Sequence, residues 1–141
     1  MKTFRIGGVH PAENKLSAAE PIKVAELPKV AVFPMGQHIG APAVPCVQKG
    51  DKVKVGTQIG KPMEKALSTS IFSSVSGTVL KVDTVVDASG YKKPAVYITV
   101  EGDEWEESID RTDKLVTLKD KPELTPEEII EKVKNAGVVG M

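Results

Sequence analysis

Short apolar runs, separated by glycine, proline and lysine, occupy the middle of the chain. They lie at residues 30–33, 44–47, 52–55, 58–59, 76–82 and 95–100, and most are rich in β-branched side chains. The run at 52–55 alternates polar and apolar residues, as a strand with one buried face does. These run lengths and intervals favour one small all-β barrel or sandwich of about 70 residues over a helical or βαβ fold.

Turn residues between these runs predict how the strands connect. Gly50, in a Lys-Gly-Asp turn, is expected to take a positive φ, and Asp51 to hydrogen-bond neighbouring backbone. Gly56 predicts a second turn, and Gly77 predicts a bend between two strand segments. Residues 87–90 (Asp-Ala-Ser-Gly) predict a hairpin tip before the last strand.

The N-terminal part of the chain contains too many prolines for a helix. Pro11, Pro21, Pro28 and Pro34 break any helix before three turns can form. Residues 1–29 are therefore predicted to be an extended, proline-rich arm, with a tight turn at residues 7–11.

An acidic segment and a helix follow the predicted barrel. Residues 101–110 hold six carboxylates and no basic residue around the single tryptophan, Trp105, so residues 102–124 are predicted to be an acidic linker or edge. Thr125 and Glu128 have the spacing of a capping box, and Gly137 provides a stop. The short amphipathic helix between them needs a surface to pack on.

The composition adds three constraints. Aromatic residues make up only 4% of the 141 residues, so the core must consist mostly of Val, Ile, Leu and Ala, and nucleic-acid binding by base stacking is disfavoured. Residues 1–100 carry 13 basic and 7 acidic residues (+6), whereas residues 101–141 carry 6 and 12 (−6). The two regions are expected to attract each other, or each to meet a separate partner.

The cysteine count and the hydropathy limit the chemistry and the location. One cysteine, Cys46, excludes an internal disulfide and a cysteine-only iron–sulfur site. No apolar run approaches the roughly 20 residues that cross a bilayer, and no signal-peptide core follows the N-terminus. An intracellular chain is expected, with any membrane contact made through partners.

The candidate reactive side chains favour structural roles. His10 and His38 lie in predicted turns without a metal-ligand spacing. Cys46 is expected to be a buried small hydrophobe, since a reactive thiol would need a nearby charge such as Lys49. No catalytic, cofactor-binding or metal-binding residue is predicted in this chain.

The turn motifs carry a family resemblance. The Lys-Gly-Asp turn at 49–51, Gly56 and the Ser-Gly-Thr-Val bend at 76–79 resemble the barrel-sandwich hybrid of biotinyl and lipoyl carrier domains and their non-carrier relatives. The whole chain resembles the N-terminal region of RnfC, the family of peripheral subunits of the membrane-bound Rnf electron-transport complex. The matching stretches are Phe4 with residues 7–11, residues 37–43, residues 49–53 with Gly56, residues 75–79 and residues 136–141.

This resemblance implies a mainly β fold, with the arm at 1–29, a barrel-sandwich hybrid at 30–101, the acidic linker at 102–124, and a helix opening a truncated flavin/NADH-binding domain at 125–141. It implies a docking or structural module of an ion-translocating ferredoxin:NAD oxidoreductase. The full-length subunit would hold FMN, NADH and two 4Fe-4S clusters, and this fragment none. The implied partners are the remainder of the subunit and other Rnf subunits, with no nucleic acid, at the cytoplasmic face of the bacterial inner membrane.

Two alternatives remain open from the residues. Lys65 falls where carrier domains place their modified lysine, but Glu64 and Ala66 replace the methionines of the biotinyl motif and the aspartate of the lipoyl motif. The second alternative is binding of an anionic surface or nucleic acid by the front half, although the chain has only Arg5 and Arg111 for bidentate phosphate contacts. Its candidate lysines are Lys49, Lys52, Lys54, Lys61, Lys65 and Lys81.

Overall fold

The computed structural model describes residues 11–112 and 124–139. Within them the chain is mainly β, as predicted, with seven strands and one helix. The elements are β1 (Val30–Pro34), β2 (Val44–Pro45), β3 (Lys52–Val53), β4 (Gln58–Lys61), β5 (Ile71–Phe72), β6 (Ser76–Val86), β7 (Lys92–Gly102) and α1 (Pro126–Asn135).

The strands form two antiparallel sheets that enclose one core. The four-stranded sheet has the order β1-β7-β6-β3, and the three-stranded sheet has the order β2-β4-β5. Strands β6 and β7 form a long hairpin whose register shifts between Ser76 and Gly77 and again between Val79 and Lys81. Such bulges bend a strand and increase its twist, which curls this sheet around the core.

Buried aliphatic side chains from both sheets fill the interior. Met35, Ile59, Val79, Val96 and Ile98 are buried almost completely. The predicted aliphatic core is therefore confirmed, except that no leucine in the described part of the chain is buried. The complete cluster is Phe33, Met35, Ala43, Val53, Ile59, Ile71, Val75, Val79, Val96 and Ile98.

The turn predictions at the start of β3 are confirmed. Gly50 has φ +96°, a conformation that glycine adopts without a steric penalty. Asp51 accepts a hydrogen bond from the backbone N–H of Gln48 at 2.7 Å. These contacts fix the turn that leads into β3, which pairs with β6 through Val53 and Gly77.

Strand β5 was missed by the sequence analysis. Its two residues, Ile71 and Phe72, lie between serines and threonines, a pattern typical of a loop. Pairing with β4, at a shifted register between Gln58 and Gly60, makes this segment a strand. Tertiary pairing therefore overrides the local signal here.

The described part of the N-terminal arm, residues 11–29, contains no strand or helix, is exposed throughout and has a turn at residues 16–19. His10 and most of the predicted turn at 7–11 lie outside the described residues. The arm enters the barrel beside β7, because Val100 donates its backbone N–H to the carbonyl of Lys29 at 3.1 Å.

The acidic segment forms an edge of the barrel where the structure describes it. Val55 donates to the carbonyl of Glu104 at 2.8 Å and accepts from Glu106 at 3.0 Å. Trp105 forms a parallel bridge with Val55, and Ile109 packs on Gly56. Of the two interpretations of this segment, these contacts favour an edge up to residue 109. Residues 113–123 of the predicted linker lie outside the described part.

Ion pairs join this acidic edge to the barrel. Lys52 lies 2.9 Å from the carboxylate of Glu101, and Lys54 lies 4.0 Å from that of Glu104. Hydrogen bonds from Thr78 and then from Lys52 lower the pKa of Glu101. Of the two outcomes expected for the oppositely charged regions, these two pairs favour attraction within the chain at Glu101 and Glu104.

The predicted helix is confirmed with its capping box. The Oγ1 of Thr125 accepts from the backbone of Glu128 at 3.3 Å, and the Glu128 carboxylate accepts from the backbone of Thr125 at 2.8 Å. Gly137 ends the helix with φ +67° and packs against Phe72 of β5. The apolar stripe of Ile129, Ile130 and Val133 stays about half-exposed.

Candidate functional site

Lys65 lies at an exposed hairpin tip, as the comparison with carrier domains predicts. It occupies a turn between β4 and β5, and residues 61–67 are all exposed. Its φ of 57° makes it the one non-glycine residue with a positive φ in the described ranges. The position is accessible to a modifying enzyme, whereas its modification stays a hypothesis.

His38 connects two loops. Its Nδ1 lies 3.2 Å from the carbonyl oxygen of Ile39, and its Nε2 accepts from the backbone N–H of Thr69 at 3.4 Å. The contact with Thr69 joins the loop of His38 to the loop before β5. Residues 11–112 and 124–139 contain no group of three His, Cys, Asp or Glu side chains that could hold a metal ion. The expected structural role fits this geometry.

The prediction for Cys46 was wrong. The residue is exposed rather than buried, because its apolar run includes the edge strand β2 and turns only part of its side chains inward. The thiol donates to the carbonyl of Gln58 at 3.4 Å. Partial burial raises the pKa of Cys46, and the charge of Lys61, rather than of Lys49, opposes that shift.

Half of the six candidate lysines of the anionic-surface hypothesis are already paired with carboxylates. Besides Lys52 and Lys54, Lys81 lies 2.6 Å from Asp83 and 4.5 Å from the ring centre of Tyr97. The hydrogen bond with Asp83 raises the pKa of Lys81, and the same bond lowers the pKa of Asp83. These pairs reduce the positive charge available to an external polyanion.

His38 and Lys65 lie in a rigid pair of loops, residues 37–41 and 62–69, at one end of the barrel. Ala41 donates its backbone N–H to the carbonyl of Leu67 at 2.8 Å. Gly40 approaches the same carbonyl so closely that a Cβ there would lie 2.1 Å from its oxygen. Together with the His38–Thr69 contact, these interactions fix the relative position of the loops.

A cleft of about 570 Å³ lies between these loops and the segment after α1. We call it the apex cleft, and its lining includes Ile39, Pro62, Leu67, Lys134, Val138 and Val139. Ile39 is 75% exposed and Leu67 is 74% exposed. Sequence analysis missed the cleft, because Ile39 and Leu67 are isolated aliphatic residues 28 positions apart.

The donor set of this chain does not fit an iron–sulfur cluster. A four-iron cluster is held by four thiolates, whereas the chain has only Cys46. In the parts of the chain that the structure describes, no helix is long and apolar enough to cross a membrane.

Comparisons with known proteins identify the family. The family model "RnfC Barrel sandwich hybrid domain" matches residues 2–103. The C subunit of the proton-translocating ferredoxin:NAD(+) oxidoreductase complex of Clostridium ljungdahlii is 39% identical over 143 residues, with 100% of this chain and 30% of the relative covered. The C subunit of the Na(+)-translocating ferredoxin:NAD(+) oxidoreductase complex of Acetobacterium woodii is 38% identical over 144 residues. This match covers 99% of this chain and 30% of the relative.

A more distant relative is the C subunit of the ion-translocating oxidoreductase complex of Pseudomonas aeruginosa, with 34% identity over 133 residues, covering 93% of this chain and 16% of the relative. The chain thus spans less than a third of the length of each of these relatives. The family match includes the arm, the barrel and the start of the acidic edge, and it confirms the resemblance seen in the turn motifs. The chain therefore belongs to the RnfC family, and residues 2–103 match its barrel sandwich hybrid domain.

Proposed function

We propose that this chain is the docking and structural module of a C subunit in an ion-translocating ferredoxin:NAD oxidoreductase complex. The observation that carries this proposal is the apex cleft, which exposes large aliphatic side chains on a locked backbone. Exposed apolar surface of this kind is typical of protein interaction sites. The relatives are C subunits of ion-translocating oxidoreductase complexes, two of them of ferredoxin:NAD(+) oxidoreductase complexes, and they supply the assembly.

The redox cofactors belong, on this proposal, to other parts of the full-length subunit. FMN, NADH and two 4Fe-4S clusters would carry electrons there, and this module would position that region. The single cysteine supports the assignment of the clusters to another part of the subunit, since one thiolate cannot hold a four-iron cluster. The other Rnf subunits would hold the assembly at the cytoplasmic face of the bacterial inner membrane, with this chain peripheral.

The polar groups of the barrel support a structural role over a catalytic one. His38 holds two loops, Lys52 and Lys54 pair with the acidic edge, and Asp87 pairs with Lys93 at 2.8 Å. A catalytic site needs a nucleophile or base within reach of a substrate pocket. These side chains instead join neighbouring elements of the fold.

Replacing residues 30–109 of the full-length subunit with a flexible Gly/Ser linker tests the proposal. Lys29 and Val100 share a backbone hydrogen bond, so the linker needs to span only the distance that residues 101–109 cover. We expect loss of the truncated subunit from the purified complex and loss of NADH-driven turnover. The control inserts the same linker after residue 20, in the exposed arm. Full assembly with unchanged turnover in the replacement would contradict a docking role.

A carrier function at Lys65 is the second candidate, favoured by the exposed tip on which this lysine lies. The test is the intact mass of the protein from its native host, with Lys65→Arg as the control. A biotinyl or lipoyl mass increment that disappears in the variant would support the carrier. An unmodified wild-type mass would exclude it.

A further inference from the structure

The apex cleft has the properties of a pre-formed binding site. Its two loops are cross-linked by the Ala41–Leu67 hydrogen bond and by the contacts of His38. A partner would therefore bind without first ordering these loops, which lowers the entropic penalty of association. Ile39 and Leu67 face water from this fixed frame.

The opposite wall of the cleft comes from the segment after α1. Val138 is 61% exposed and Val139 is 53% exposed. Gly137 packs on Phe72 and thereby holds this segment against β5. The cleft thus presents aliphatic side chains from two walls, an arrangement that fits an apolar polypeptide segment better than a polar metabolite.

One charged group limits what the occupant can supply. Lys134 lies at the rim, at the last turn of α1. An occupant with apolar side chains and with a carboxylate near the rim would pair with this ammonium group.

The length of the relatives indicates the occupant. Two of them contain this region as 30% of their length, so more than two thirds of each subunit lies outside it. A region tethered in the same polypeptide has a high effective concentration at this cleft, in the millimolar range for a short flexible connection.

We propose that the apex cleft binds the remainder of the full-length subunit, through an apolar segment of the same polypeptide that covers Ile39, Leu67 and Val138. This assignment rests on the proposed docking function and names its surface and its partner. Burial of these side chains removes apolar surface from water, which stabilises the contact.

Site-specific photo-cross-linking in the assembled complex tests the assignment. A photoreactive amino acid replaces Leu67 in one sample and Leu16, a 94% exposed leucine of the arm, in the control. We expect position 67 to cross-link to peptides from the same subunit beyond residue 141, and position 16 not to reach those peptides. Mixing isotopically labelled and unlabelled subunits shows whether the link is intramolecular.

Every other result at position 67 overturns the assignment. Cross-links to a different subunit, cross-links to a second copy of this subunit, or the absence of any cross-link would each contradict the proposed occupant. The linker replacement of residues 30–109 separates this failure from failure of the docking function. Lost assembly with a different cross-linking partner would leave the docking role standing, whereas intact assembly would remove it.

A second variant tests whether the contact at the apex cleft is apolar. Leu67→Glu puts a charge on the cleft but leaves the backbone carbonyl that contacts Ala41. We expect a cross-linker at position 39 to lose its links to the downstream region in this variant. The control, Leu16→Glu, should keep them. Retention of these links in Leu67→Glu would contradict an apolar contact at this site.

Discussion

At the scale of single residues, close backbone approach constrains the fold most tightly at Gly77. A Cβ at this position would lie 2.0 Å from the carbonyl oxygen of Thr99 on β7. The contact occurs at a bulge of the β6–β7 ladder. Any side chain here must push the two central strands apart, so the sequence motif that contains Gly77 has a steric origin.

We therefore expect Gly77→Ala to lower the free energy of unfolding by about 3 kcal/mol, the upper end of the usual overpacking penalty, since a clash with backbone cannot be relieved by a rotamer change. The matched control is Gly50→Ala, where no atom lies within 4 Å of the added Cβ. Only the positive φ of Gly50 opposes that change, by about 1–2 kcal/mol. Urea unfolding of both variants measures the difference, and equal losses would contradict the steric explanation.

Asp87 gives the fold a pH dependence at the tip of the long hairpin. Hydrogen bonds from Lys93 and then from Ser89 lower the pKa of Asp87 from 3.8 to about 2. Because the folded-state pKa lies below the ordinary value, the interaction stabilises the fold fully above about pH 4. This contribution is lost as the pH falls from there through 2.

Asp87→Asn should therefore lower Tm at pH 7, and the difference from the wild type should shrink as the pH falls below 4. Thermal unfolding at pH 7, 4 and 3 measures this trend. Lys93→Gln should reproduce the loss at pH 7, and the double variant should lose less than the sum of the two. A Tm difference that is constant with pH would show that Asp87 acts through something other than its charge.

At the scale of elements, the β6–β7 hairpin separates a buried face from an exposed one. Ile98 of β7 is 0% exposed, and its ladder partner on β6 is Val79. Leu80, the residue after Val79, is 42% exposed. The two side chains have the same number of carbon atoms. Truncating each side chain to alanine therefore compares a buried position with an exposed one while the groups removed are nearly the same.

Ile98→Ala should lower the free energy of unfolding by about 2–5 kcal/mol, because it leaves a cavity between the two sheets. Leu80→Ala should lower it by about 1 kcal/mol or less, since water already reaches that side chain. Chemical denaturation provides both values. A Leu80→Ala loss as large as that of Ile98→Ala would mean that the outer face of the hairpin is covered.

Local chemistry decided which elements could be predicted from the sequence. The capping box of Thr125 and Glu128 and the turn at Gly50 rest on interactions within four residues, so both were predicted correctly. Strand β5 depends on a shifted pairing with β4, which no local pattern contains. Ile39 and Leu67 likewise form one surface only through the contacts between their loops. The exposure of Cys46 depends on the position of β2 at the edge of the three-stranded sheet, which the local sequence does not show.

At the scale of the whole molecule, the acidic edge extends the folded unit beyond the last strand. Backbone hydrogen bonds to Glu104 and from Glu106 cover Val55, which is 8% exposed. Trp105 in turn lies beneath the guanidinium of Arg111, 4.6 Å from its ring centre. The stable unit should therefore include residues 103–112.

A chain that ends at Gly102 should thus be less stable than one that ends at Thr112, by about 2–4 kcal/mol. The shorter chain loses two backbone hydrogen bonds, each contributing about 0.5–1.5 kcal/mol, and uncovers apolar surface at Val55 and Gly56. Equilibrium unfolding of both chains in urea measures the difference. Equal urea midpoints for the two chains would indicate that residues 103–112 are a solvated linker.

The neighbouring positions of Lys29 and Val100 also determine how the barrel responds to force. Strand β1 begins, and β7 ends, at the same side of an antiparallel pair. Tension between the arm and the helix would first detach residues 104–106 from Val55 and would then load the β1–β7 ladder one hydrogen bond at a time, because those bonds lie perpendicular to the strands. Such a ladder unzips at low force instead of resisting in shear, so the barrel should yield early when the ends of this module are pulled apart.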